Sequence, residues 1–219
     1  NKNIIEKAFS QIEGDYSCLL KELISLNLDF VHRKSKTLLL PIDKKERLAF
    51  HFALQIERTK EFRKVFENAY YTLTSHFSNI NFPKYGKKDY KRIHNSVIME
   101  GRMANFYANL LTDRKWIFLV NHTNTPFITS DNPCIQIYHV NEIKEPISPV
   151  SDKVTFYIPI SPILAIEIYD KKIKCDDLSY FDVFKKDNIK WYNLNIKCQC
   201  TMFLFSNEKI SDYLTENLL

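Results

Sequence analysis

A chain of 219 residues is long enough for one large domain or two small ones, and 45% hydrophobic with 26% charged residues is globular composition. Only three glycines occur, Gly14, Gly86 and Gly101, which excludes a P-loop, a dinucleotide fingerprint and a nucleophile elbow, since each needs clustered glycines for close backbone approach. A net charge of +5, carried mostly by lysine, is compatible with nucleic acid without calling for it.

Residues from Asn3 to about Leu28 read as an amphipathic helix, with Ile5, Phe9, Ile12, Tyr16, Leu19, Leu23 and Ile24 at three- and four-residue spacing. Lys34 to Pro41 is a connector. Asp43 is placed to cap a second helix, three residues before Glu46. The apolar phase then predicts one long helix to about Phe77. Pro83 and Gly86 break the pattern, and a third long helix is expected from about Asp89 to Leu111. The period changes at Lys115-Trp-Ile-Phe-Leu-Val-Asn121, a β-branched and aromatic run that predicts a strand. Strands are expected at Phe127–Thr129, Ile135–Val140, Val154–Ile160 and Leu164–Tyr169, with a loop at Glu145–Val150. A helix from Phe184 to about Cys200, a strand at Thr201–Phe205 and a short terminal helix complete the reading. Helices first and strands afterwards predict an α+β fold, with long N-terminal helices packed on a mostly antiparallel C-terminal sheet. The expectation is one domain over 1–219, helical in 1–112 and sheet-rich in 113–219. Asn1 in place of Met, at the head of a segment already helical, points to a chain that starts within a longer protein.

Five scattered cysteines, an odd number, read as reduced thiols in a cytoplasmic protein. Cys198-Gln-Cys200 has no second pair at zinc-site spacing, so no metal is expected. No apolar run reaches a membrane span. The run Lys84-Tyr-Gly-Lys87-Lys88-Asp-Tyr90-Lys91-Arg92 interleaves basic and aromatic residues and reads as a solvated loop and helix start, with phosphate contact as the alternative.

The most specific segment is Pro126-Phe-Ile-Thr-Ser-Asp-Asn-Pro133. Ser130, Asp131 and Asn132 can each bond the local backbone, which would make a rigid turn. Alternatively, a strand end presents Asp131 as a base, metal ligand or polar anchor. Together with Tyr157-Ile-Pro159-Ile-Ser161-Pro162, Tyr192-Asn193-Leu-Asn195 and Phe203-Leu-Phe205-Ser206, and with Ile12-Glu-Gly14 and Ala53-Leu-Gln55-Ile-Glu-Arg58-Thr59 upstream, this tract resembles the bacterial and fungal family catalogued as domain of unknown function 4238. The order is the same over nearly the whole chain. The family's opening His-Tyr-x-Pro motif is absent, and the resemblance implies an architecture but no reaction. Gly14 falls within one of these tracts, where a bend or close packing would explain it; Gly101, inside the third helix, suggests close approach of a neighbour.

Two polar stripes complete the candidates. His51, Gln55 and Arg58 share one face of the second helix, and Asn95, Arg102, Asn105 and Asn109 one face of the third. If those faces meet, Arg58 and Arg102 could hold an anion with amide support; otherwise both are solvated sides. The sequence therefore carries two readings. One is a polar cleft for a phosphate-bearing or other anionic small molecule, with Asp131 catalysing hydrolysis, as in a nuclease, and Gln55, Arg58, Ser130, Asn132, Arg102 and Asn105 binding. It requires Asp131 and Arg58 to converge. The other is a non-catalytic binding or effector domain acting through a protein partner. The cofactor, if any, is not specified, and no membrane is expected.

Overall fold

In the computed structural model, which describes residues 2–31, 40–77, 79–139, 148–207 and 209, five helices precede the sheet. They are α1 (Lys2–Val31), α2 (Ile42–Glu57), α3 (Lys60–His76), α4 (Lys87–Glu100) and α5 (Arg102–Thr112). There follow β1 (Lys115–Asn121), β2 (Thr129–Ser130), β3 (Ile135–Tyr138), β4 (Val154–Ser161), β5 (Leu164–Tyr169), β6 (Ser179–Val183), α6 (Lys186–Gln199) and β7 (Leu204–Phe205). The fold is α+β, with N-terminal helices and a mostly antiparallel sheet. The expected terminal helix and the start of the 145–150 loop lie outside the described residues.

The five-stranded sheet runs β3-β4-β5-β1-β6. Its pairs are antiparallel except β1 with β6, which are parallel. Strand side chains alternate between faces, and here both faces are covered. Trp116, Phe118, Phe156, Ile158, Ile166 and Ile168 point to one side and join Leu19, Leu48, Phe52 and Leu111 of the helices in one core. Leu119, Ile135, Ile137, Tyr157 and Ala165 point to the other, where Ile189 and Ile196 of α6 close a second core. That double burial is why these strands read as continuous apolar runs. Trp116 sits at the helical junction, its ring 5.5 Å from that of Phe52 and its indole N–H donating to the Leu111 carbonyl at 2.8 Å. A separate ribbon pairs β2 with β7.

The second and third helices of the sequence reading are each broken. The second ends at Glu57, and Thr59 starts α3 by accepting the Phe62 N–H on its hydroxyl at 3.1 Å. Apolar positions continue in phase across this break, so periodicity alone did not reveal it. The third is interrupted by Gly101, whose φ of 67° caps α4 and opens α5. No neighbour lies within 4 Å of where a Gly101 side chain would start, so backbone conformation, not close approach, demands glycine there. Gly14 has the same empty surroundings within α1, so close packing does not explain it. Pro41, not Asp43, is the N-cap of α2; Asp43 lies in the first turn, where its charge complements the helix N-terminus. The expected strand at Phe127–Thr129 is confined to Thr129–Ser130. β6 was not foreseen, because Ser-Tyr-Phe-Asp-Val is half exposed at the sheet edge and lacks an apolar rhythm.

Candidate functional site

The turn after β2 is tied to the end of α6 and the approach to β7. Asp131 accepts on one carboxylate oxygen from the Thr201 N–H at 3.0 Å and on the other from the Thr201 hydroxyl. Its own N–H donates to the Phe203 carbonyl at 3.1 Å. Partial burial works to raise the Asp131 pKa, but the Thr201 hydroxyl and the N–H groups of Thr201, Met202 and Phe203 outweigh it and hold the carboxyl below its ordinary value. Ser130 is buried, its hydroxyl donating to the Asn132 carbonyl at 2.9 Å and accepting the Asn132 N–H at 3.1 Å. Asn132 donates from its side chain to the Gln199 carbonyl at 3.2 Å.

The downstream tracts that carry the family resemblance converge around this turn. Asn193, fully buried on α6, accepts the Ile128 N–H at 3.1 Å and donates to the Pro126 carbonyl at 2.9 Å. Tyr192 stacks on Tyr157 at 4.7 Å, and Phe127 meets both rings edge-on at 6.0 and 6.2 Å. The Phe127 N–H donates to the Pro162 carbonyl at 2.9 Å. These contacts satisfy buried backbone groups in a loop that has few partners of its own.

The helical candidates turn elsewhere. Arg58 pairs with Glu13 of α1 at 2.9 Å and lies over the Phe9 ring. His51 is buried and bonds Asp15 of α1 at 2.8 Å. Gln55 is half-buried. The Arg102 side chain is 88% exposed and lies 3.9 Å from Glu100; Asn95, Asn105 and Asn109 are exposed. The two stripes therefore do not face one another. α2 packs on α5 through faces that carry the small residues Ala49, Ala53, Ala104 and Ala108.

A broad cleft, about 940 Å³, opens where the helices meet the sheet. One wall is Ile56, Thr59, Phe62, Lys64 and Asn68 of α2 and α3 with Tyr107 of α5; the other is Asn132, Cys134, Gln136, Tyr138 and the Cys198-Gln-Cys200 end of α6. Of the sequence candidates, Asn132 lines it, and Asp131, Ser130, Gln55, Arg58, Arg102 and Asn105 do not. The second wall is held by an amide ladder. Gln199 donates to the Gln136 carbonyl at 2.8 Å and accepts the Gln136 N–H at 3.3 Å. The Tyr138 hydroxyl donates to the Gln136 side chain at 3.0 Å. No described lining residue is a carboxylate, and Lys64 supplies a positive charge.

Just beyond that lining, at the end of α2, Glu57 is fully buried, and neither carboxyl oxygen has a hydrogen-bond partner among the described residues. Burial pushes its pKa up to about 7. Tyr107 is in turn pushed up to about 12, by burial and then by the Glu57 charge. His94 donates from Nε2 to the Glu57 carbonyl at 2.6 Å. A second buried carboxyl, Glu167, lies on the α6 face of the sheet and accepts from Tyr169 at 2.6 Å and from Tyr192. Burial raises its pKa despite those two donors.

Sequence reasoning missed the cleft's Lys64, Gln136, Tyr138 and Gln199. The one available signal was Gln136, a polar side chain inside an otherwise apolar strand. Among the described residues no group of three or more His, Cys, Asp and Glu side chains could hold a metal ion, and no helix is long and apolar enough to cross a membrane.

Fold and cleft together define an α+β protein with a pocket between its helices and its sheet. Residues 1–210 match the family described as protein of unknown function (DUF4238), and the chain belongs to that family. No curated protein and no solved structure matches it.

Proposed function

We propose that this chain is a ligand-binding domain whose site is the cleft between α2, α3 and α5 on one side and β3 and α6 on the other. The ligand class is an organic anion with an apolar body. The observation that carries this reading is the cleft's lining, in which Lys64, Asn68, Asn132, Gln136 and Gln199 offer charge and amide donors, opposite Ile56, Phe62 and Tyr107, with no carboxylate among the described lining residues. Pockets of this kind place a few polar groups against an apolar wall, which orients a ligand while burying its hydrophobic part. The reading treats the helical and sheet-rich parts as one domain, because the site takes residues from both.

Asp131 has a positioning role in this reading: it holds the 199–203 segment, which supplies part of the cleft wall. A carboxylate kept below its ordinary pKa with both oxygens accepting is poorly suited to act as a general base, so a hydrolase or nuclease mechanism through Asp131 has less support. Five free thiols fit a reducing compartment, which supports a cytoplasmic location. A second reading, an effector domain with a protein partner, draws on Phe181 and Phe184, which are 57% and 72% exposed at the β6 edge.

The test is a thermal-shift screen of small organic and phosphorylated acids on the purified chain. A hit should lose its effect in the Lys64→Ala, Gln136→Leu double variant and keep it in Phe184→Ser. Shifts that survive the double variant would move the site elsewhere.

A further inference from the structure

We propose that the aromatic cleft between α3 and α4 is a second site, which takes a nucleobase with its attached phosphate. The cleft encloses about 430 Å³, ample for a base and its sugar. Its walls are rings. Tyr70 lies 5.0 Å from Tyr85, 6.0 Å from Tyr90 and 6.3 Å from Phe82, and Tyr85 lies 6.1 Å from Tyr90. Tyr90 is buried and forms the floor, while Tyr71 and Tyr85, 63% and 40% exposed, form the rim. The Tyr70 hydroxyl donates to the Pro83 carbonyl, which fixes its ring against the 79–86 loop. Two of these rings, Tyr71 and Tyr85, stand in water at the mouth of the cleft.

Aromatic cages of this kind also receive cations, and the charges around the cleft decide between the two. Lys84 lines it, and Lys87, Lys88, Lys91 and Arg92 are exposed on the start of α4, the helix that carries Tyr90. Of the described carboxylates nearby, Asp89 is engaged by the Gly86 N–H at 2.9 Å, and Glu67 of α3 acts on Tyr90. A cationic guest would meet this lysine excess, whereas a phosphate would be drawn to it. Stacked bases with lysine-bound phosphates are how proteins hold single strands without reading sequence. A free nucleotide presents the same chemistry.

The experiment is fluorescence anisotropy of the whole chain with short labelled oligonucleotides, single-stranded and as the matching duplex, with free AMP and ATP as competitors. Single strands should bind better than the duplex, whose bases are not free to stack. Tyr85→Ala and Tyr71→Ala, both at the rim, should each weaken binding roughly tenfold or more with unchanged circular dichroism. Lys84→Gln with Lys88→Gln should flatten the plot of log affinity against log salt by about 0.7 for each phosphate that no longer meets a lysine. Competition by AMP or ATP at concentrations matching single-strand affinity would assign the site to free nucleotides; poor competition would assign it to strands. Binding of neither class at low salt, affinity untouched by both tyrosine variants, or capture of tetramethylammonium in their place would overturn the proposal.

Discussion

Asp131 and Thr201, seventy positions apart, are joined twice, by the Thr201 N–H at 3.0 Å and by its hydroxyl. The pair fastens the turn after β2 to the segment that follows α6. Asp131→Ala should therefore cost about 1 kcal/mol, the low end of the penalty for leaving donors without acceptors, because Thr201 is only part-buried, and Asp131→Asn less. The sign of its pH dependence follows from a pKa held below the ordinary value in the fold. Its stabilisation is complete above the unfolded carboxyl pKa of ~3.9 and is lost as pH falls through the folded value. Urea melts of the wild type and Asp131→Asn should converge in acid and diverge near neutrality.

Glu57 has the opposite sign. Its folded pKa is about 7, above the unfolded carboxyl range, so the proton is held more tightly in the fold. Stability is then greatest below the unfolded carboxyl pKa of ~4.3 and falls steadily as pH rises from there to about 7. Above that, the penalty is ~3 kcal/mol by the conversion of ~1.4 kcal/mol per pKa unit. Glu57→Gln should melt higher than wild type at neutral and alkaline pH and much like it only near the unfolded carboxyl pKa of ~4.3. Thermal melts across that range read the difference directly.

The glycines separate conformation from space. Gly101 has a φ of 67° and no neighbour within 4 Å, so Gly101→Ala should cost ~1–2 kcal/mol through left-handed strain alone. Gly14 lies in helical backbone with equally empty surroundings, so Gly14→Ala should gain ~0.5–1 kcal/mol. Melting temperatures of the two variants should move in opposite directions.

Lys45 is buried between the helices and the sheet, where it meets Asp177 at 2.7 Å and the Arg114 carbonyl at 3.0 Å over the Trp116 ring. Asp177 also accepts the Trp116 N–H at 2.8 Å. Asp177→Ala would leave a buried ammonium with one neutral acceptor. The expected loss is about 2–3 kcal/mol, below the ~3–5 of a fully buried pair, because the Asp177 side chain is 42% exposed. Lys45→Met combined with Asp177→Asn should recover much of it, as denaturant melts of the single and double variants would show.

The strands around Trp116, Phe156 and Ile166 were legible because their apolar runs are long enough and bounded by turns. The breaks at Thr59 and Gly101 were not, since the residues on either side keep the helical phase. The tract Phe127–Pro133 stood out in the sequence, and Ser130 bonds the local backbone at Asn132 as expected, but Asp131 and Asn132 bond Thr201 and Gln199, partners that spacing alone does not suggest. The cleft was illegible for a related reason. Lys64, Gln136 and Gln199 each come from a different element and look ordinary there; only the packing of α3, β3 and α6 brings them to one opening. The arginines failed in reverse, since Arg58 shares a face with Gln55 in sequence yet finds Glu13 on α1 first.

The most direct measurement of the central claim is hydrogen–deuterium exchange on the purified chain with and without a thermal-shift hit. The account predicts slowed exchange in peptides covering 59–68, 132–138 and 198–201, with the rest unchanged. Protection confined to other segments, or none at all at saturating ligand, would contradict it.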